Sequence, residues 1–189
     1  MNKAKSYQKI RKNILKMLEA RCIQIPEELT DTSFEYISNL IKKNELDIII
    51  NNDYYIKFLI NEKVRPSMIK SNIEKIKENN ITNFIIVIEN KPNKSILKLV
   101  NNTDIQIFWF NELLIDKTSH VLVPKHILLE EQFHQEVLDM YGLNSKSKLP
   151  LILINDPMVK YLNAKKGDIL KIIRNSSTAG KYVSYRYVV

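Results

Sequence analysis

The sequence predicts an α/β domain over residues 1–116 followed by a small α+β domain over 117–189. Three observations carry this. Between Leu46 and Phe110 the apolar runs LDIII, YYIKFLI, FIIVI and IQIFWF have strand length and are mostly separated by helical stretches, the order expected of a largely parallel sheet with helical crossovers. After Asp116 the pattern changes to one helix and several short strands joined by turns. The charge also shifts along the chain: residues 1–144 hold 20 Lys plus Arg against 19 Asp plus Glu, whereas residues 145–189 hold 9 against 2.

The elements follow in order. From Ser6 to Arg21, Tyr7, Ile10, Ile14, Met17 and Leu18 recur at the three-and-four spacing of a one-sided helix. Thr32 or Ser33 is placed to cap a second helix with a stripe of Phe34, Ile37, Leu40 and Ile41. LDIII and YYIKFLI, joined by Asn51, Asn52 and Asp53, read as a hairpin. A helix from Ser67 to Asn79 buries Met68, Ile69, Ile73 and Ile76 and ends at Asn79 and Asn80; FIIVI, a short helix over Lys94 to Val100, and IQIFWF complete the first domain. In the second, Phe133, Val137, Met140 and Tyr141 form the stripe of a helix from about Leu129 to Tyr141, stopped by Gly142. LPLILIND, DILKIIR and KYVSYRYVV are expected as strands, with a turn at Lys165 to Gly167 and the loop NSSTAG between the last two.

Several function classes drop out. No apolar run reaches the roughly 18 to 20 residues of a membrane span, and the residues after Met1 do not form a signal-peptide core, so an intracellular protein without a membrane partner is expected. With three isolated glycines there is no phosphate-binding loop, and no serine-elbow motif occurs. His120, His126 and His134 are too widely spaced to match a metal-binding pattern, so neither a metal nor a cofactor is expected. The single cysteine, Cys22, reads as a packed thiol.

Two groups could carry chemistry. Asp47 ahead of one strand, with Glu89 and Lys91 after another, has the residue types by which many DNA endonucleases hold a divalent metal. The same residues can equally be surface groups at strand ends. In the loop KPNKS, Lys91 and Lys94 flank Pro92 and Asn93 and can meet phosphates or solvent. In the last strand Tyr182, Ser184, Arg186 and Val188 share one face, with Val183, Tyr185, Tyr187 and Val189 on the other. A small domain covering one face alone would leave tyrosines and arginines for a partner.

The stretch from Leu149 to the end resembles the C-terminal assembly domain of the fifth subunit shared by eukaryotic nuclear RNA polymerases, a domain with a small archaeal polymerase subunit as its counterpart. Leu149 and Pro150, Asp156 and Pro157, Tyr161, Lys166 and Gly167, KIIR, TAG and YR fall in that family's order. HVLVPKH is similar to the start of the same domain, and YQKIRKNILKMLEARC, LDIII, IKENNITNFIIVIE and the proline loop are similar to the family's N-terminal jaw domain. The sequence departs from the pattern at Asn163, where glycine is usual, at Asn175 for proline and at Ser177 for glutamate. With the heavy use of Ile, Asn and Lys, these departures predict a divergent polymerase, such as that of a large DNA virus.

The resemblance implies a non-catalytic subunit of DNA-directed RNA polymerase. The C-terminal domain would dock on the largest subunit within the multisubunit enzyme, and the jaw would approach downstream duplex DNA through Lys91, Pro92, Asn93 and Lys94. Docking residues are expected first at His120, Pro124, Asp156 and Pro157. The end of the chain adds Arg174, Thr178, Ala179, Gly180, Tyr182, Tyr185 and Arg186. Family jaws are similar to the restriction-endonuclease fold, which accounts for Asp47, Glu89 and Lys91 without cleavage. The implied location is the nucleus, or a virion or cytoplasmic viral factory for a viral polymerase. The alternatives are the metal-dependent nuclease and a free-standing DNA-binding adaptor.

Overall fold

The most apolar strand, Asn83–Ile88 (β3), is buried at every position from Phe84 to Ile88, as a parallel strand covered on both faces must be. It lies inside a four-stranded sheet with Ile48–Ile50 (β1), Tyr54–Leu59 (β2) and Ile105–Trp109 (β4), in the order β1-β2-β3-β4. β1 and β2 are antiparallel, while β2, β3 and β4 run parallel. The helices are Lys3–Ala20 (α1), Phe34–Lys43 (α2), Pro66–Glu78 (α3), Lys94–Val100 (α4) and Phe110–Leu113 (α5). This computed structural model describes residues 3–43, 45–50, 53–59, 64–78, 83–100, 103, 105–176 and 180–189. The expected turn residues Asn51 and Asn52, the helix stop at Asn79 and Asn80, the side chain of Ile76, and Ser177, Thr178 and Ala179 lie outside the described set.

The chain divides into two units, Met1–Glu19 with Ile23–Ile115, and Ala20–Cys22 with Asp116–Val189. In the first, alternation along β3 sends Phe84, Ile86 and Ile88 to one face, where they pack with Ile69 of α3, Ile96 and Val100 of α4 and Ile107 of β4. The α1 stripe Tyr7, Ile10, Ile14, Met17 and Leu18 is fully buried, as its spacing predicts. Ser33 caps α2 by accepting from Tyr36 N–H at 3.4 Å, but Phe34 at the start of that stripe is 41% exposed and Ile37 is its buried member. Cys22 is also a correction: it is exposed, at φ 61°, because it leaves α1 in the left-handed conformation.

The second unit is built on Lys125–Leu128 (β5), Leu151–Ile152 (β6), Ile169–Ser176 (β7) and Gly180–Val188 (β8), in the order β5-β7-β8-β6. β7 pairs antiparallel with both β5 and β8, and β6 pairs parallel with β8. The helix expected from about Leu129 to Tyr141 is a single 3-10 turn, Glu131–Phe133, followed by His134–Met140 (α6). Its buried side chains are His134, Val137 and Leu138, not the Phe133, Met140 and Tyr141 of the expected stripe. His134 turns inward because its ring meets the Leu129 carbonyl at 3.2 Å and Lys146 Nζ at 2.8 Å. Gly142 ends α6 at φ 62°, as expected.

DPMVKYL, expected inside a run of strands, is instead the helix Pro157–Leu162 (α7). Asp156 Oδ1 accepts from Met158 N–H at 2.8 Å, and proline at the first helical position gives up an N–H that needs no partner. Asn163 closes the helix at φ 57°, a conformation asparagine and glycine tolerate and other side chains resist. The departure from glycine there is therefore conservative in backbone terms. Asn163→Ala should lower the stability of the chain by about 1 kcal/mol, and Asn163→Gly should leave it unchanged or raise it, as read by urea unfolding.

Candidate nuclease and interface residues

Asp47 and Glu89 lie at the same end of the first sheet, because β1 runs against β2 while β3 runs with it. Both carboxylates have partners within their own unit. Asp47 accepts from Tyr55 Oη and from Phe58 N–H, both at 2.8 Å. Glu89 accepts from Tyr7 Oη at 2.7 Å and pairs with Lys3 Nζ at 3.0 Å. Among the described residues no group of three His, Cys, Asp or Glu side chains is placed to hold a metal ion. Nothing in this geometry supports the metal-dependent nuclease built on Asp47, Glu89 and Lys91; its acids brace the sheet.

Burial raises the pKa of Tyr7, and the hydrogen bond to Glu89 and its charge add to the rise. Tyr55 is raised in the same way, by burial and then by Asp47. Arg11, fully buried in α1, is a feature the sequence did not signal. Its Nη1 donates to the Leu46 carbonyl at 3.4 Å, its guanidinium lies 5.8 Å from the Tyr36 ring, and burial pulls its pKa down.

In the loop after β3, Lys91 and Lys94 are exposed. Asn93 has a structural duty, since its Oδ1 accepts from Ile96 N–H at 3.0 Å and so starts α4. Lys94 is the first residue of that helix, where a cation opposes the dipole. Its charge is not there for the helix.

The expected docking residues of the second unit fall into three places. His120 and Pro124 bracket a tight turn: His120 Nδ1 accepts from Leu122 N–H at 3.1 Å and its carbonyl from Val123 N–H at 2.9 Å. That turn leaves Val121 96% and Leu122 83% exposed. Asp156 and Pro157 start α7, so part of their role is local. Arg174, Gly180, Tyr182, Tyr185 and Arg186 belong to the β7–β8 pair, with Arg174 over the Tyr182 ring at 4.8 Å. Tyr185 contributes within the unit, packing edge-on to Tyr141 at 6.1 Å and against Val137, Leu138 and Leu149.

Both faces of the β7–β8 pair are covered at one end, which corrects the one-faced expectation. Leu170 and Val188 pack with Val159 and Leu162 of α7, while Ile169, Tyr185 and Tyr187 pack with Val137 and Leu138 of α6. What stays exposed is the hairpin's far end, where Tyr182 is 45% accessible.

A chain whose acids brace its own sheet, and whose excess of positive charge lies in its last 45 residues, has the make-up of an assembly component. Residues 115–188 match the family model RNA polymerase Rpb5, C-terminal domain. The chain is 33% identical over 193 residues to DNA-directed RNA polymerases I, II, and III subunit rpabc1 of Dictyostelium discoideum, covering 95% of each. It is 30% identical to the RPABC1 subunit of Caenorhabditis briggsae and 29% to that of Caenorhabditis elegans, each over 200 residues spanning 96% of this chain and 94% of the relative. The chain belongs to the Rpb5 family, the fifth common subunit of RNA polymerases, and is a non-catalytic subunit.

The two tyrosine–carboxylate pairs give a pH dependence. Tyrosines with raised folded pKa values add stability that is fully present below the ordinary value of 10.0 and is lost as pH rises above it, since the unfolded chain ionises first. Stability should therefore fall above about pH 10, with a slope of up to about 1.4 kcal/mol per pH unit for each tyrosine. The Tyr7→Phe, Tyr55→Phe double variant should flatten that slope in urea titrations between pH 8 and 11.

Proposed function

We propose that the second unit docks on the largest subunit of the multisubunit RNA polymerase and that the first unit acts as a jaw directed at downstream duplex DNA. The observation that carries the docking reading is the surface of β7 and β8. Together they bear Lys171, Arg174, Lys181 and Arg186 with no Asp or Glu, beside exposed Tyr182 and Val183. Tyrosine and arginine next to each other on a small exposed surface are the usual anchors of a protein interface. The Val121–Leu122 turn adds two apolar side chains with no cover within their own unit.

The DNA reading is supported by Lys91 and Lys94 on either side of Pro92, which stiffens the loop between them. A restriction-endonuclease-like ancestry for the jaw is supported by the parallel β2–β3–β4 core with Asp47 and Glu89 at one end. The site of action follows the polymerase: the nucleus for an enzyme of the relatives' kind, or a virion or cytoplasmic factory for a viral one. The Ile, Asn and Lys bias supports the second.

Two variants test these assignments. Lys91→Ala with Lys94→Ala should leave assembly intact and reduce the magnitude of the log–log salt slope of DNA retention by the polymerase by about two. An unchanged slope removes the loop from the DNA path. Arg186→Glu should abolish incorporation into the polymerase while the circular dichroism spectrum of the free chain is unchanged; normal incorporation takes Arg186 out of the interface.

A further inference from the structure

β8 is nine residues long, yet β6 pairs with only its last two positions, Leu151 with Tyr187 and Ile152 with Val188. Hydrogen bonds identify the groups left over. Val188 N–H donates to the Asp168 carbonyl at 2.9 Å, so along the unbroken β7–β8 register the even-numbered residues of β8 turn their amides and carbonyls toward β7. The odd-numbered residues turn the other way. Tyr187 N–H reaches the Pro150 carbonyl at 2.9 Å, and Val189 N–H reaches the Ile152 carbonyl at 3.0 Å.

Carried up the strand, the same alternation presents the N–H and C=O groups of Lys181, Val183 and Tyr185 along one edge. No backbone partner for them occurs among the described residues. The cause is local. The next rung beyond Tyr187 would join the Tyr185 carbonyl to the N–H of residue 150, and residue 150 is proline, which has none.

An unpaired edge of this length is a template for another strand, and chains that must stay apart blunt such edges. The edge of β6 is blunted in this way, because Arg186 Nη1 donates to the Leu151 carbonyl at 3.1 Å. The edge of β8 is not. Its surroundings select the occupant: four cations and no carboxylate on β7 and β8, with Val183 36% exposed beside Lys181. A second copy of this chain would bring like charge against like charge across the new pair.

We propose that the outer edge of β8 takes up one extended, acidic segment of the polymerase chain on which the second unit docks, paired to Lys181, Val183 and Tyr185 as an added strand. The inference rests on the docking reading and specifies its mode. Main-chain hydrogen bonds would supply the attraction, and Lys181, Arg174 and Arg186 would select carboxylates on the incoming strand.

The test uses the full chain, alone and in the assembled polymerase. By residue-resolved hydrogen exchange, the amides of Lys181, Val183 and Tyr185 should exchange rapidly in the free chain and become protected on assembly, while Tyr182 and Ser184 are protected in both. Val183→Pro removes one outward N–H that the unit itself does not use, at an edge position where proline is tolerated. It should lower retention in the polymerase about tenfold, the size expected for losing one or two main-chain hydrogen bonds, whereas Val183→Thr should not. Lys181→Glu should also lower retention, and an unchanged or higher value overturns the acidic occupant.

Assembly without protection of the three amides overturns strand addition and leaves docking standing, whereas a chain that never assembles removes the docking reading itself. Protection that appears with chain concentration alone assigns the edge to a second copy. Protection by duplex DNA alone assigns it to nucleic acid. Either result defeats the proposal. Should Val183→Pro fail to fold, the exchange pattern of the unaltered chain decides.

Discussion

Each residue of a strand has one N–H and one C=O to satisfy, and in the second unit the β7–β8 pair is longer than the strands beside it. The rest of the unit is arranged around that mismatch. Because the pleat alternates, one end of the pair feeds two cores: Leu170 and Val188 reach the side chains of α7, and Ile169, Tyr185 and Tyr187 reach those of α6. Four short elements suffice to cover that end. The other end extends past them, so what the unit leaves open is an edge and a tip, and the aromatic and basic side chains there flank exposed main chain.

The first unit illustrates how acids brought together at one end of a sheet can serve as structural ties. Asp47 and Glu89 stand together at one end of a sheet, where acids of a metal-dependent nuclease would be expected, yet each is held by a tyrosine hydroxyl, and Asp47 by a backbone amide as well. A carboxylate that accepts hydrogen bonds within its own domain is held in place by them, and removing it would leave its buried donors unpaired, at about 1–3 kcal/mol for each. Here the acids act as ties: Asp47 fixes the start of β1 to the end of β2, and Glu89 fixes α1 to the end of β3. Residue type at a sheet end by itself says nothing of cleavage.

Much of the architecture was legible in the sequence because burial on both faces writes a continuous apolar run. FIIVI is the example, and the three-and-four spacing of Tyr7, Ile10 and Ile14 marks α1 as clearly, whereas LDIII has the same apolar run although Ile49 is 56% exposed, so its expected burial on both faces is corrected. What was lost had short-range causes. α7 was hidden inside apparent strands because six residues give fewer than two turns, although its cap Asp156, its Pro157 and its stop at Asn163 were all present as signals. The α6 stripe was misread because His134, not an apolar residue, points inward, held by a carbonyl from one side and Lys146 from the other. For the candidate site, the tyrosines and cations of β8 were legible as residue types suited to a partner. Its open edge was not, because an edge is a property of what fails to pair, which depends on how far β6 runs and on a proline 35 residues upstream of Tyr185.

That dependence on main chain bears on how this family diverges. Identity to the relatives is 33% or less across almost the whole chain, so most side chains have changed. The positions where the chain departs from the family pattern include Asn163, whose backbone at φ 57° still satisfies what a glycine would supply there. An interface carried by amides and carbonyls obeys the same rule, since substitutions that preserve strand geometry leave its hydrogen bonds in place. Under the proposed strand addition, side chains such as Lys181 and Arg174 would act as selectors that can drift with the partner. The groups that cannot drift are the ones that set the ladder, and Pro150 is the one whose replacement by any other residue would supply the N–H that closes the edge further.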